Sequence, residues 1–258
     1  MLNKIKNLYN RIKRKFSYIE NNYSFYINNF ITNTFYGNLA LKYHKFETSK
    51  EDIEELKKII NNSKELNFLD KDEKNFQFFK RKRFQNNQLD YEAYKDMSRY
   101  TTWFKLSDSD FIKSYLKKIV PIIKENIKSP CSIVNLRAWK SKPNSKATIH
   151  KGRERGAFRM HKDKMPPGHL KCMIYLNPLD HKHGKFQIED HVFESDKPGI
   201  SILFRNSDFD HQAISGNENY RLVIEITIMR TFININELKY YSSSPNSLYL
   251  KNAFLAYM

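Results

Sequence analysis

The sequence predicts an α+β protein, with helices in its first half and a barrel or double sheet of short strands from residue 130 onward. Three observations carry this. Apolar residues recur at steps of three and four before residue 130. Beyond it, short alternating runs bounded by turn residues take over. The punctuation moves as well, since six of the seven glycines fall between positions 152 and 216.

Leu2, Ile5, Leu8, Ile12, Phe16 and Ile19 form an apolar stripe with Lys and Arg between them, the pattern of an amphipathic helix. Such a stripe docks on its own domain or lies on a membrane surface. A second helix is announced by a capping box from Thr48 to Glu51, followed by Ile53, Leu56, Ile59 and Ile60. A third starts after Ser107 or Ser109 and carries Phe111, Ile112, Tyr115, Leu116 and Ile119, with Pro121 expected to kink or end it. Strands are expected over 132–139, 170–176, 185–188, 199–204 and 220–229. In the last, Leu222, Ile224, Ile226 and Ile228 alternate with Arg221, Val223, Glu225 and Thr227, so one face packs on the helices and the other meets a cavity. The reading divides the chain into a mainly helical region 1–129, a core 130–230 and an extension 231–258 with a loop at 242–245.

Composition excludes several classes. With 40% apolar residues, including 19 Phe and 16 Tyr, the chain has ample material for a core. No apolar run is long enough to span a bilayer, and charge interrupts the N-terminus too often for a signal peptide. The two cysteines, Cys131 and Cys172, are not a disulfide framework, and a cytoplasmic location is expected. The net charge of +17 is spread along a sequence rich in Lys, Asn, Ile, Tyr and Phe, so a nucleic-acid partner is not expected.

Chemistry gathers in the second half, where seven of the eight histidines lie between 150 and 211. On an extended segment, His161 and Asp163 point the same way. His211 follows a strand and a polar loop and precedes a turn near Gly216. Two histidines and one carboxylate make the facial triad of non-haem iron(II) sites, which leaves three adjacent positions open. Arg221 lies ten residues beyond His211, out of phase with the apolar stripe. If the chain reverses at 215–219, both emerge at similar depth on neighbouring strands. A buried guanidinium there needs an anion, and the distal carboxylate of 2-oxoglutarate suits its planar fork.

His161–Asp163, Ile174-Tyr175-Leu176-Asn177, Gly184, Pro198-Gly199, Leu203-Phe204, His211 and Arg221 resemble the 2-oxoglutarate/Fe(II) oxygenase superfamily in order and spacing. They look most like its prolyl-hydroxylase-like and phytanoyl-CoA-dioxygenase-like branches. The resemblance covers residues 131–230. It implies a double-stranded β-helix (jelly-roll) core, and Fe(II) and 2-oxoglutarate as cofactors; the N-terminal helices, outside the resemblance, are expected to pack on one sheet of that core. His161, Asp163 and His211 would be the metal ligands and catalytic centre. A carboxylate at Asp163 favours hydroxylation over halogenation. Val223 departs from the Ser or Thr found two residues after the arginine in several branches, so Arg221 needs help elsewhere. Tyr175 is either that second 2-oxoglutarate contact or an ordinary aromatic barrel residue.

The other histidines, among them His169, His181, His183 and His191, read as solvated loop residues around the mouth. Asn135, Arg137 and Trp139 line either the cavity or an exposed polar face. The basic stretch 140–159 reads as a lid or substrate-binding element favouring an anionic substrate, a small molecule or a protein side chain. The N-terminal basic helix leaves peripheral membrane contact open. Rival readings are a nucleic-acid demethylase of the same chemistry, a cupin-like metal protein that does not use 2-oxoglutarate, and a basic binding module without activity.

Overall fold

The structure, a computed structural model, describes residues 26–61, 99–103, 110–146, 148–150, 153–155, 157–163, 165 and 167–232. The N-terminal stripe from Leu2 to Ile19 and the loop at 242–245 lie outside these residues. Three helices are described: α1 (26–36), α2 (Lys50–Asn61) and α3 (Asp110–Ile127).

The start of α2 differs from the expected capping box by one residue. Ser49, not Thr48, accepts the Asp52 amide at 3.1 Å. Thr48 instead turns inward, its hydroxyl 2.9 Å from that of Tyr115 and 3.0 Å from that of Ser201. Glu51 and Asp52 in the first turn and Lys58 in the last complement the helix dipole. Lys118 of α3 donates to Asp52 at 2.7 Å and ties the two helices together.

Pro121 does not end α3, which runs on to Ile127. The proline ring sits on the exposed side, so the missing N–H is lost where water solvates the orphaned carbonyl. Ile119 before it and Ile123 and Ile127 after it are buried, and this continuous apolar face holds the helix together across the break.

The strands are β1 (Tyr43–Glu47), β2 (Arg99–Trp103), β3 (Cys131–Ser141), β4 (Thr148–His150), β5 (Arg153–Arg155), β6 (His169–Tyr175), β7 (Gly184–Ile188), β8 (His191–Phe193), β9 (Ile200–Phe204), β10 (His211–Ser215) and β11 (Arg221–Arg230). A six-stranded antiparallel sheet runs β1-β9-β6-β11-β3-β2, and a three-stranded one runs β10-β7-β8. β1 and β2, both inside the stretch read as mainly helical, supply the two edges of the large sheet. The basic stretch 140–159 contains the hairpin β4–β5.

The large sheet is buried on both faces, and strand alternation divides its side chains cleanly. Cys172, Ile174, Ile224, Ile226 and Ile228 pack with Ile53, Leu56, Leu116 and Ile123 of the helices. Met173, Tyr175, Ile202, Phe204 and Val223 face the other way, onto Phe186, Ile188 and Phe193 of the small sheet. The expected division of β11 into a helix face and a cavity face is therefore what the structure contains. A β-bulge between Thr227 and Ile228 shifts its register against β3.

Helix α1 docks in the opposite sense to an ordinary amphipathic helix. Its polar Asn28 and Thr32 are buried, whereas Tyr26, Phe30 and Phe35 are exposed. The anchor is Arg230, whose guanidinium donates to Asn33 Oδ1 (2.9 Å), Gly37 O (3.1 Å) and Ser129 Oγ (3.0 Å). Asn28 Nδ2 in turn donates to the Arg230 carbonyl at 2.8 Å.

Gly184 and Gly216 fix how the small sheet meets the turn before β11. A Cβ on Gly216 would lie 2.2 Å from Lys182 O, and one on Gly184 2.5 Å from Ile214 O. Only glycines admit this backbone contact.

Candidate metal centre

The chain between β5 and β6 runs antiparallel to β10, through a bridge that pairs His161 with His211 directly. Their amides and carbonyls exchange hydrogen bonds of 3.1 and 2.9 Å, and Ala213 N donates to Ala157 O at 2.7 Å. The two imidazoles are thus cross-strand neighbours on one face, with ring centroids 4.6 Å apart. Asp163 follows two residues later, its amide bonded to Asn206 O at 2.9 Å. One ligand atom from each of His161, Asp163 and His211 lies within 4.8 Å of the others, a group able to hold a metal ion.

The protonation pattern suits a cation. His161 Nδ1 is 2.7 Å from Arg159 O, and His211 Nδ1 is 3.1 Å from Phe209 O. A carbonyl only accepts, so each Nδ1 carries hydrogen, and in the neutral imidazole that leaves the Nε2 lone pair for a metal. Burial pushes the His161 pKa down, which favours the neutral, ligating form. Burial opposes ionisation of Asp163, but the Lys171 ammonium beside it holds the carboxyl well below its usual range. Asp163 Oδ2 accepts from Lys171 Nζ at 2.6 Å and from Asn206 Nδ2 at 3.0 Å. Oδ1 is left facing His161 Nε2 at 3.7 Å.

These residues open into a cavity of about 230 Å³ between the two sheets, also lined by Trp139, Arg159, Tyr175, Phe186 and Arg221. Arg221 does not stand at the depth of His211 on a neighbouring strand, as the turn had led us to expect. β10 and β11 belong to different sheets. Arg221 Nη1 donates to Lys185 O at 3.3 Å, and Lys185 pairs with Ile214, three residues from His211. At about 3.3 Å per residue, the guanidinium and the metal group are separated by roughly 10 Å of strand. The difference matters, because it leaves a length of cavity between them.

At the Arg221 end, two donors have no hydrogen-bond partner. Arg221 is 5% exposed and its Nε is unsatisfied, as is the Tyr175 hydroxyl. No carboxylate of the described residues pairs with Arg221, which lies against the rings of Phe158 and Tyr175. Burial pushes the Tyr175 phenol upward, so it stays protonated and can donate. Tyr175 is the cross-strand neighbour of Val223, and so stands beside the position where a Ser or Thr is missing. Unpaired buried donors of this kind are costly unless an anion fills the space.

Four residues at the site had no role assigned from sequence: Lys171, Glu225, Asn206 and Arg159. Lys171 bridges Asp163 to Glu225, whose carboxylate is 3.5 Å from its ammonium and 1% exposed. Their alternation with apolar neighbours on β6 and β11 placed both on the cavity face. That three separate segments bring Lys171 to Asp163 is a tertiary fact with no local signal. Trp139 lines the cavity; the side chains of Asn135 and Arg137 are outside the described residues.

Among the described residues, no other histidine joins the group. His183 pairs with Asp180 at 3.0 Å in the turn before β7, and His191 stacks on Tyr43. His169 is not a solvated loop residue as expected, but is buried in β6. Asn177 accepts the Leu222 amide at 2.7 Å, a purely structural bond.

No protein-family model matches the chain, and no curated protein matches it. Solved structures do. A viral collagen prolyl hydroxylase from Paramecium bursaria Chlorella virus-1, in complex with 2-oxoglutarate, matches at 13% identity and TM-score 0.48, over 74% of this chain and 97% of that one. A prolyl-4-hydroxylase from Pseudomonas putida matches at 10% identity and TM-score 0.48, over 74% and 94%. HygX from Streptomyces hygroscopicus, solved with nickel and 2-oxoglutarate, matches at 9% identity and TM-score 0.47, over 79% and 92%. At these scores the likeness decides nothing about chemistry, which rests on the side chains themselves.

Proposed function

We propose that this chain is an iron(II)- and 2-oxoglutarate-dependent dioxygenase, hydroxylating a small molecule or a protein side chain with release of succinate and CO2. The two facing sheets are read as the halves of a double-stranded β-helix. Residues 130–230 are read as the oxygenase core, 1–129 as its helical support and 231–258 as an extension. One observation carries the proposal. A His-Asp-His group whose Nε2 atoms converge on the Asp163 carboxylate shares a cavity with a buried Arg221, with which no carboxylate of the described residues pairs, about one dicarboxylate length away.

His161, Asp163 and His211 would hold the metal through His161 Nε2, Asp163 Oδ1 and His211 Nε2, on one face. Iron(II) bound there supplies the oxygen chemistry that no side chain offers. The protein's own work is positional. Arg159 and Phe209 carbonyls fix the imidazole rings, while Asn206 and Lys171 hold Asp163 Oδ2 so that Oδ1 faces the metal. Arg221 and Tyr175 would receive the distal carboxylate of 2-oxoglutarate and so set which end meets the metal. Met173, Phe186 and Phe204 form the apolar part of the cavity wall.

Among the described residues no helix is long and apolar enough to cross a membrane. Both cysteines are free and buried, and burial pushes the Cys131 thiol up to about 12. These fit the cytoplasmic location we propose. Peripheral membrane contact through the N-terminal basic stretch is a separate proposal, checked by sedimentation with anionic vesicles.

The test is anaerobic reconstitution with Fe(II) and 2-oxoglutarate. We expect a weak visible charge-transfer band, then succinate on admission of O2. Metal binding without any 2-oxoglutarate binding would favour the cupin-like alternative instead.

A further inference from the structure

We propose that Arg159 is the substrate-anion subsite of this cavity, so that the molecule oxidised carries a carboxylate or phosphate. This deepens the dioxygenase reading and rests on it. The position follows from strand geometry. Ala157, Arg159 and His161 alternate along the segment that pairs with β10, and all three line the cavity together with His211 and Ala213. Arg159 therefore projects from the same face as the metal-binding imidazoles, one same-face step, roughly 7 Å, from His161. Its carbonyl is fixed by the His161 ring at 2.7 Å, which anchors the backbone from which the guanidinium extends.

Among the described residues of the site, its charge is the one left unanswered. Lys171 is already engaged by Asp163 and Glu225. Arg221 is answered by the distal carboxylate of 2-oxoglutarate in the reading above. The metal dication is offset by Asp163 and the proximal carboxylate. Arg159 has no ion pair with any described residue, and its Nε is buried without a hydrogen-bond partner. Yet as a residue it is only partly buried and lines the cavity, whereas Arg221 is buried. A guanidinium desolvated on one side and open on the other is a receptor for a planar carboxylate or a phosphate. An anion held there places the neighbouring carbon atoms of the same molecule over the open face of the metal group.

The experiment uses the full chain loaded with Ni(II) and 2-oxoglutarate, titrated calorimetrically with inorganic phosphate, propionate and propionamide. We expect saturable binding of at least one anion and none of the amide. Arg159→Gln is expected to weaken that binding at least tenfold, with Ni(II) and 2-oxoglutarate affinities unchanged. Phosphate bound in preference to propionate identifies a phosphoryl substrate; the reverse identifies a carboxylic acid. The proposal is overturned if neither anion binds saturably, if the amide binds as well as propionate, or if Arg159→Gln binds the anion like the wild type. It is also overturned if Arg159→Gln loses 2-oxoglutarate instead, which would make Arg159 the cofactor anchor. Failure of the wild type to bind 2-oxoglutarate sinks the dioxygenase reading. The anion titrations are then read on the Ni(II) protein alone, so the two failures are separable.

Discussion

Arg221 and Tyr175 show why single side chains carry so much of the functional reading. Both are buried, each carries one donor without a partner (Arg221 Nε and the Tyr175 hydroxyl), and no carboxylate of the described residues pairs with the Arg221 charge. Truncating the buried cation that meets an anion costs about 2–5 kcal/mol. Arg221→Ala is therefore expected to weaken 2-oxoglutarate binding at least ~30-fold with metal affinity retained, as measured by calorimetry on the Ni(II) protein. Tyr175→Phe removes one hydrogen bond to a charged group and should weaken the same binding roughly tenfold. An unchanged affinity in Tyr175→Phe would return that residue to the status of an aromatic core side chain. At this scale the sequence was partly legible. Alternation on β11 placed Arg221 and Glu225 on the cavity face. Arg159 was lost among the other basic residues of a stretch that reads as polar loop, because the strand that orders it pairs across fifty residues with β10.

Among the elements, β11 organises both sides of the molecule. It is the central partner of β3 and β6, and its alternate residues serve the helix core and the cavity. Ile226 is fully buried on the helix side. Ile226→Ala should destabilise the fold by about 2–5 kcal/mol through lost burial and a residual void, read by denaturant unfolding, with no direct loss of a cavity group. A change below ~1 kcal/mol would mean that β11 is not packed as described. The strands that periodicity found, β3, β6, β7, β9 and β11, are those whose buried faces force a strong apolar pattern. β1 and β2 escaped because edge strands bury little and carry charged residues, as YHKFE shows. β10 escaped because HQAIS mixes a ligand and polar groups with two apolar residues. Pro121 does not end α3 for a related reason: local propensity says stop, and the tertiary apolar face of α3 overrides it.

For the molecule as a whole, the metal group and Arg221 sit on different sheets, so the cavity exists only when the two sheets are held together. Ligands that contact both sheets should then act as cross-links present only in the folded state. A ligand at a hundred times its dissociation constant stabilises the native state by about 2.7 kcal/mol. For a chain of this size that corresponds to a rise in melting temperature of roughly 5–10 °C. Under nitrogen, Ni(II) alone should raise Tm through His161, Asp163 and His211, and 2-oxoglutarate should add a second increment only when Ni(II) is present. In Arg221→Ala the first increment is expected to remain and the second to vanish. In His211→Ala, which leaves two ligands, both are expected to shrink together. A second increment that persists in Arg221→Ala would mean that the co-substrate does not span the two sheets, and the cavity would need another occupant.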